Sequence, residues 1–124
     1  MSEQAAVVSW WRLACRKYGV PEESLLRVAG EEAEGGTRGA LFRRQGARPG
    51  AADLFLAVPR GSQFGLWLCV RGRGLRMRQE ERNFLRNMEG LGYGAAVCRG
   101  RDEAKDRIHA YMVQRGEADQ KNVS

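Results

Sequence analysis

The sequence predicts a single α/β domain in which helices flank a small sheet. Short apolar runs bounded by glycine and proline indicate strands, whereas longer segments with apolar residues three or four positions apart indicate helices. These elements follow one another as helix, strand, strand, strand, helix, strand, helix. The helix between the last two strands is therefore expected to be a crossover connection. A chain of 124 residues is long enough for one core, and we expect one domain over residues 1–116 with a polar tail over 117–124.

The first part of the chain predicts a helix followed by a short strand. Residues 3–18 carry apolar side chains at helical spacing, Ser2 is a candidate N-cap, and the adjacent Trp10 and Trp11 are expected to pack at or beside the core. The apolar run at 25–29 is expected to be the first strand.

The second part of the chain predicts a hairpin, a crossover helix, a strand and a last helix. The runs at 52–58 and 66–71 are expected to pair with each other, and the run at 94–98 to form the last strand. Asp102 is the expected cap of the final helix. The amphipathic segment 77–91 predicts a helix whose apolar face comprises Met77, Phe84, Leu85, Met88 and Leu91, and whose other face carries Arg78, Arg82 and Arg86.

Several functional classes are disfavoured by the sequence. No run approaches the roughly 18 to 20 apolar residues that a membrane crossing needs, and the N-terminus lacks the basic start of a signal peptide. Cys15, Cys69 and Cys98 are widely spaced and odd in number, which fits neither a disulfide framework nor a structural zinc site. We therefore expect a cytoplasmic protein that does not contact a membrane.

The charge balance favours a partner that carries phosphates. Lysine and arginine number 21 against 15 acidic residues, which gives a formal net charge of +6. Most of the basic residues are arginines, whose planar guanidinium can bind a phosphate through two hydrogen bonds. The alternative explanation is a solvated arginine-rich surface of the kind that a GC-rich genome produces.

One long stretch carries a resemblance to a known family. Residues 46–104 read GARPGAADLFLAVPRGSQFGLWLCVRGRGLRMRQEERNFLRNMEGLGYGAAVCRGRDEA. This stretch resembles the VRR-NUC family, the virus-type replication and repair nucleases of the PD-(D/E)XK superfamily. The likeness is collinear over four segments, extends over about residues 40–112 and continues more loosely over 3–30. It implies a restriction-endonuclease-like core with a mixed four-stranded sheet flanked by helices.

The same resemblance identifies four positions of a nuclease site. Asp53 falls on the family aspartate, Cys69 on the family glutamate, Arg71 on the family lysine and Glu81 on the glutamine of the following helix. The family's acid early in the first helix, if it is represented, can only be Glu3.

These substitutions predict a degenerate site. Hydrolysis of a phosphodiester needs a divalent cation, and Mg²⁺ prefers hard oxygen ligands. Cys69 would offer a soft sulfur, and Arg71 cannot act as a base, so we expect Asp53 to be a weak metal ligand or none and no cofactor to be needed. The open alternatives are that Glu81 approaches Asp53 and restores a two-acid Mg²⁺ or Mn²⁺ site, or that Asp53 merely caps a turn and Cys69 is a small buried apolar residue.

Arginines on both sides of the hairpin are candidates for phosphate contacts. The expected nucleic-acid-binding residues are Arg43, Arg44, Arg48, Arg71, Arg73, Arg76, Arg78 and Arg82. The leading hypothesis is a phage-derived homodimer that binds branched or duplex DNA, or a guide RNA, without cutting it. The alternatives are an active structure-specific endonuclease of the Holliday-junction type and an inhibitor that blocks a host protein complex.

Overall fold

A four-stranded mixed sheet lies at the centre of the computed structural model, which describes residues 1–28, 52–72, 74 and 76–114. The strands are β1 (Leu25–Arg27), β2 (Leu54–Leu56), β3 (Leu66–Arg71) and β4 (Gly94–Arg99), and the helices are α1 (Glu3–Tyr18), α2 (Gln79–Gly90) and α3 (Arg101–Met112). Outside the described residues lie the predicted end of the first strand at Ala29, Arg43, Arg44, Arg48, Arg73 and the tail over 117–124.

The sheet combines a hairpin with a crossover unit, as the order of the elements predicts. The strands lie in the order β1, β2, β3, β4, with the first two pairings antiparallel and the β3–β4 pairing parallel. Helix α2 connects the two parallel strands. The carboxyl ends of β3 and β4 therefore lie side by side, with Arg71 opposite Arg99.

The hairpin register determines where the acidic residue before β2 lies. Leu54 is opposite Leu68, and the Asp53 amide donates to the Leu68 carbonyl at 2.9 Å. Continuing this antiparallel register by one step places Asp53 level with Cys69. Strand β2 is shorter than the predicted 52–58, and just beyond it the amide of Ala57 donates to the Ser24 carbonyl at 2.8 Å, next to β1.

Helix α1 is capped at both ends in the way its sequence predicts. The Ser2 hydroxyl accepts a hydrogen bond from the Ala5 amide at 3.1 Å. At the other end Gly19 takes a left-handed conformation with φ 71°, which a glycine adopts without steric cost. Trp11 is 1% exposed and Trp10 packs against the same core, which confirms their predicted environment.

The core consists of two apolar clusters, one on each face of the sheet. The larger cluster joins α1 and α3 to the inner positions of all four strands, with Trp11, Leu54, Leu68 and Ile108 among its members. Burial of a side chain of this size contributes roughly 1.5 to 3 kcal/mol relative to leaving it in water. The smaller cluster lies between the sheet and α2 and comprises Ala52, Cys69, Met77 and Leu85.

The prediction that Asp102 caps the last helix is wrong. Helix α3 begins at Arg101 with Gly100 as its N-cap residue, and Asp102 lies inside the first turn. Gly100 has φ 91°, a conformation that favours glycine, and the Arg101 amide donates to the carboxylate of Glu3 at 3.3 Å. A residue from α1 thus satisfies a donor at the start of this helix, which local sequence does not reveal.

One residue predicted on the apolar face of α2 is not buried there. Leu91 is 63% exposed because the helix ends at Gly90 and the chain turns at Gly92, where φ is 100°. Leu91 therefore belongs to the turn that leads into β4 rather than to the helix face. Arg78 likewise precedes the helix as its N-cap residue.

Candidate site at the carboxyl ends of the parallel strands

A cleft opens where β3 ends and where α1 and α2 begin. It has a volume of about 450 Å³, and its walls include Gln4, Arg71, Arg78 and Glu81. The Gln4 side-chain amide donates to the Val70 carbonyl at 2.7 Å, which holds the first turn of α1 against the end of β3. A neighbouring recess of about 720 Å³ lies at the start of α3. The two share Glu3 and Arg76.

Asp53 is buried and fixed from two sides. Its Oδ2 atom accepts hydrogen bonds from the Val70 amide at 2.7 Å and from Nη1 of Arg71 at 2.6 Å. The side chains of Asp53 and Arg71 are 9% and 12% exposed. A carboxylate with two such donors is held in one orientation, and the charge-assisted bond from arginine is the stronger type of hydrogen bond.

Glu81 binds the other side of the same guanidinium. Its Oε2 atom forms an ion pair with Nη2 of Arg71, and its Oε1 atom accepts a hydrogen bond from the Arg78 amide at 2.9 Å. The Glu81 side chain is 1% exposed, although glutamate is rarely buried unless it is paired. We call Asp53, Arg71 and Glu81 the Arg71 triad, in which one guanidinium separates two carboxylates.

The alternation of side chains along the strands explains how the triad forms. Cys69 and Arg71 are two positions apart in β3, so both project from the face of the sheet that α2 covers. Asp53 precedes Leu54, whose side chain lies in the core on the opposite face. Glu81 lies in the first turn of α2, the helix that covers this face of the sheet.

Cys69 is a neutral, fully buried thiol beside the triad. Burial is the main cause that raises its pKa to about 11, and the negative charge of Asp53 adds to the effect. It packs in the smaller apolar cluster with Ala52 and Leu85. Its sulfur is a soft donor, which suits Mg²⁺ poorly.

Glu3 lies at the edge of the cleft and is paired with a different arginine. Its Oε2 atom accepts hydrogen bonds from Nε and Nη2 of Arg101 at 2.9 and 2.6 Å. The side-chain hydrogen bond from Arg101 is the main cause that lowers the pKa of Glu3 below its usual value of 4.5. The acid that the resemblance places in the first helix is therefore neutralised within the protein.

The divalent cation that the resemblance implies does not fit the residues present. Between the two carboxylates that approach each other, the space holds a guanidinium, and the third position is a protonated thiol. Within the described ranges, no three or more histidine, cysteine or acidic residues form a group that could hold a metal ion. Glu81 does approach Asp53, as one alternative anticipates, but Arg71 lies between them.

The remaining predicted residues divide into those in the cleft and those elsewhere. Arg76 and Arg78 are exposed and line the cleft, and Arg82 is exposed one turn into α2.

Two residues of this region do not follow from the sequence. Gln4 fixes α1 to β3 and Arg101 neutralises Glu3, yet neither belongs to a motif. Both act across long sequence separations. Only the topology brings them to the site.

Comparison with solved structures identifies the same fold in another protein. A VRR_NUC domain protein superposes with a TM-score of 0.75 at 21% sequence identity, covering 93% of this chain and 89% of that chain. No family model and no curated protein matches the chain. The structural likeness confirms the predicted α/β nuclease-like fold. Among the described residues, no helix has both the length and the apolar character for a membrane crossing.

Proposed function

We propose that this protein binds nucleic acid on a nuclease-type fold without cutting it. The observation that carries the proposal is the position of Arg71, whose guanidinium contacts both Asp53 and Glu81. A phosphodiester-cleaving site of this fold needs the two carboxylates for a metal ion and a base or proton donor of suitable pKa. Here both carboxylates are engaged by an arginine, which cannot give up its proton.

The edges of the cleft carry the features that phosphate binding requires. Arg76 and Arg78 line the cleft and are exposed. The amino-terminal ends of α1, α2 and α3 meet around the cleft and its neighbouring recess, and the positive end of a helix dipole favours anions. Arg71 binds two carboxylates and is 12% exposed, whereas Arg78, whose Nε lies 3.6 Å from Glu81 Oε1, is 48% exposed, so the proposal assigns phosphate contacts to Arg76 and Arg78 rather than to Arg71.

The finer assignments rest on the resemblance. The proposed ligand is duplex or branched DNA, the proposed working unit is a homodimer, and the proposed setting is the cytoplasm of a bacterial host that carries phage-derived genes. No metal or other cofactor takes part in binding in this proposal.

The decisive experiment measures the salt dependence of DNA binding by an Arg76→Ala/Arg78→Ala variant. If both arginines bind phosphates, affinity falls similarly for all sequences, and the slope of log affinity against log salt becomes shallower by roughly 0.9 for each duplex phosphate that the variant no longer binds. Fluorescence anisotropy with a labelled duplex and a labelled four-way junction gives both quantities. The fold should survive, because exposed side chains rarely contribute more than about 0.5 kcal/mol each.

The matched control is Arg16→Ala. Arg16 is exposed near the end of α1, about 20 Å along the helix from Glu3 at 1.5 Å per residue. Its replacement removes the same charge without changing the cleft. Equal effects of the two variants per arginine removed would contradict a localised site. Unchanged affinity and slope in the double variant would contradict nucleic-acid binding in the cleft and would favour an acidic protein surface as the partner.

A further inference from the structure

The Arg71 triad holds two buried carboxylates that depend on arginine for their counter-charge. Asp53 and Glu81, 9% and 1% exposed, share one guanidinium that is 12% exposed, and Arg78 Nε lies 3.6 Å from Glu81 Oε1, so the four side chains sum to zero charge. Removing charged groups from water is costly, and a buried charge is tolerated only when it is paired and hydrogen-bonded. The site therefore depends on a cation between Asp53 and Glu81.

We propose that the guanidinium of Arg71 takes the place of a divalent cation, so that removing this side chain converts the triad into a Mg²⁺ or Mn²⁺ site. In the natural protein the same guanidinium excludes these ions. The inference deepens the proposed function and rests on it for the view that the site is inactive. Its own test contains no nucleic acid, so this inference and the proposed function can fail separately.

The geometry supports an exchange of one cation for another. Asp53 is oriented by the Val70 amide and Glu81 by the Arg78 amide, and neither of these contacts involves Arg71. Each carboxylate therefore keeps one backbone donor when the arginine side chain is removed. The cleft of about 450 Å³ that Arg71 and Glu81 line gives an ion and its waters access to this position.

The chemistry of the donors determines which ions would bind. Carboxylate oxygens are hard ligands, which suit Mg²⁺ and Mn²⁺, and these ions retain several waters when a protein supplies only one or two carboxylates. Without Arg71 the two carboxylates keep only part of their counter-charge, from Arg78 at 3.6 Å from Glu81, and a divalent ion would supply the charge that is missing.

The test compares Mn²⁺ binding by the natural protein and by an Arg71→Ala variant. Titration followed by the electron paramagnetic resonance signal of free Mn²⁺ should show one bound ion per variant chain, with affinity roughly tenfold or more above that of the natural protein. The melting temperature of the variant should also rise by roughly 5 °C or more on changing from EDTA to saturating Mn²⁺. The natural protein should show no such shift.

Further substitutions assign the site. Adding Asp53→Asn or Glu81→Gln to Arg71→Ala should abolish Mn²⁺ binding, whereas Arg76→Ala, which removes an arginine from the same cleft and leaves the triad intact, should behave as the natural protein does. Arg71→Met is the second variant, because its aliphatic side chain preserves more packing. If Arg71→Ala is unfolded in EDTA, Mn²⁺ should restore its folding.

Results of two kinds would overturn the proposal, three from Mn²⁺ binding and one from folding. The first three are tight Mn²⁺ binding by the natural protein, an absence of Mn²⁺ binding in both Arg71→Ala and Arg71→Met, and Mn²⁺ binding that survives Asp53→Asn. An Arg71→Ala chain that stays unfolded in saturating Mn²⁺ also contradicts it, because the bound ion should replace the missing charge.

Discussion

At the residue scale, the type of cation at position 71 determines what the site can do. A guanidinium is a rigid planar fork, so Arg71 can bind Asp53 through one terminal nitrogen and Glu81 through the other. A lysine ammonium is a compact charge on a flexible stem that shifts its pKa readily. Removing one partner from a buried ion pair typically costs about 3 to 5 kcal/mol. Arg71 is therefore expected to be a major determinant of stability.

The first consequence at this scale is an absence of cleavage. With Mg²⁺ present, the purified protein should leave four-way junctions, flaps and linear duplex intact, because Arg71 occupies the space between the carboxylates and Cys69 stays a neutral thiol. Gel electrophoresis of labelled substrates measures this. Nicks that disappear in an Asp53→Ala variant would contradict the prediction, whereas nicks that persist in that variant would identify a contaminating nuclease.

The resemblance indicates which residues lie together, but not their contacts. Asp53, Cys69, Arg71 and Glu81 follow from matching each residue to a position of the motif that the stretch resembles, and the structure brings all four close to one another. That Arg71 bridges the two acids does not follow, because a long side chain has many rotamers and the surrounding elements select one of them. The pairing of Glu3 with Arg101 is hidden for the same reason, since 98 positions separate the two residues.

At the element scale, the sequence predicts which helices and strands form better than it predicts the residues at which they begin and end. Strand β3 occupies the predicted 66–71, and the crossover connection follows from the order of the elements. The boundaries that differ depend on tertiary contacts. Helix α3 begins before the predicted cap at Asp102, where Glu3 of α1 accepts the Arg101 amide.

The Glu3–Arg101 pair joins the start of α1 to the start of α3. It should make the free energy of unfolding depend on pH in the acidic range. Because Arg101 holds the pKa of Glu3 below its usual value of 4.5 in the folded protein, the unfolded chain binds more protons near that pH. The stabilisation is therefore complete above pH 4.5 and is lost as the pH falls through the folded value. We expect Glu3→Gln to unfold more easily than the natural protein at neutral pH.

Urea unfolding at several pH values between 7 and about 3 measures the difference in the free energy of unfolding, which should shrink to near zero at the acid end. Glu22→Gln is the matched control, since Glu22 pairs with Arg12 at 3.7 Å and both side chains are more than 60% exposed. Such surface pairs contribute little. A constant Glu3→Gln difference over the whole range would show that the carboxylate charge is not responsible.

At the scale of the whole molecule, the arrangement of charges favours an anionic partner at the cleft. The chain carries a formal net charge of +6. The acids Glu3, Asp53 and Glu81 are each engaged by an arginine of the same chain, so they repel phosphate less than free carboxylates would. The exposed arginines of the cleft then act on a surface whose acidic residues are already neutralised.

This arrangement predicts that nucleic-acid binding is independent of divalent cations. An active nuclease of this fold would hold its substrate partly through a bound metal ion, whereas here Arg71 already supplies the cation between the carboxylates. Mg²⁺ should then act only as a counterion that competes for phosphates. At matched ionic strength, DNA affinity measured in EDTA should equal or exceed the affinity in Mg²⁺. If the affinity of the natural protein rises severalfold when Mg²⁺ or Mn²⁺ is added, the prediction is contradicted. Such a rise is expected only in the Arg71→Ala variant, in which Mn²⁺ can bind between the carboxylates.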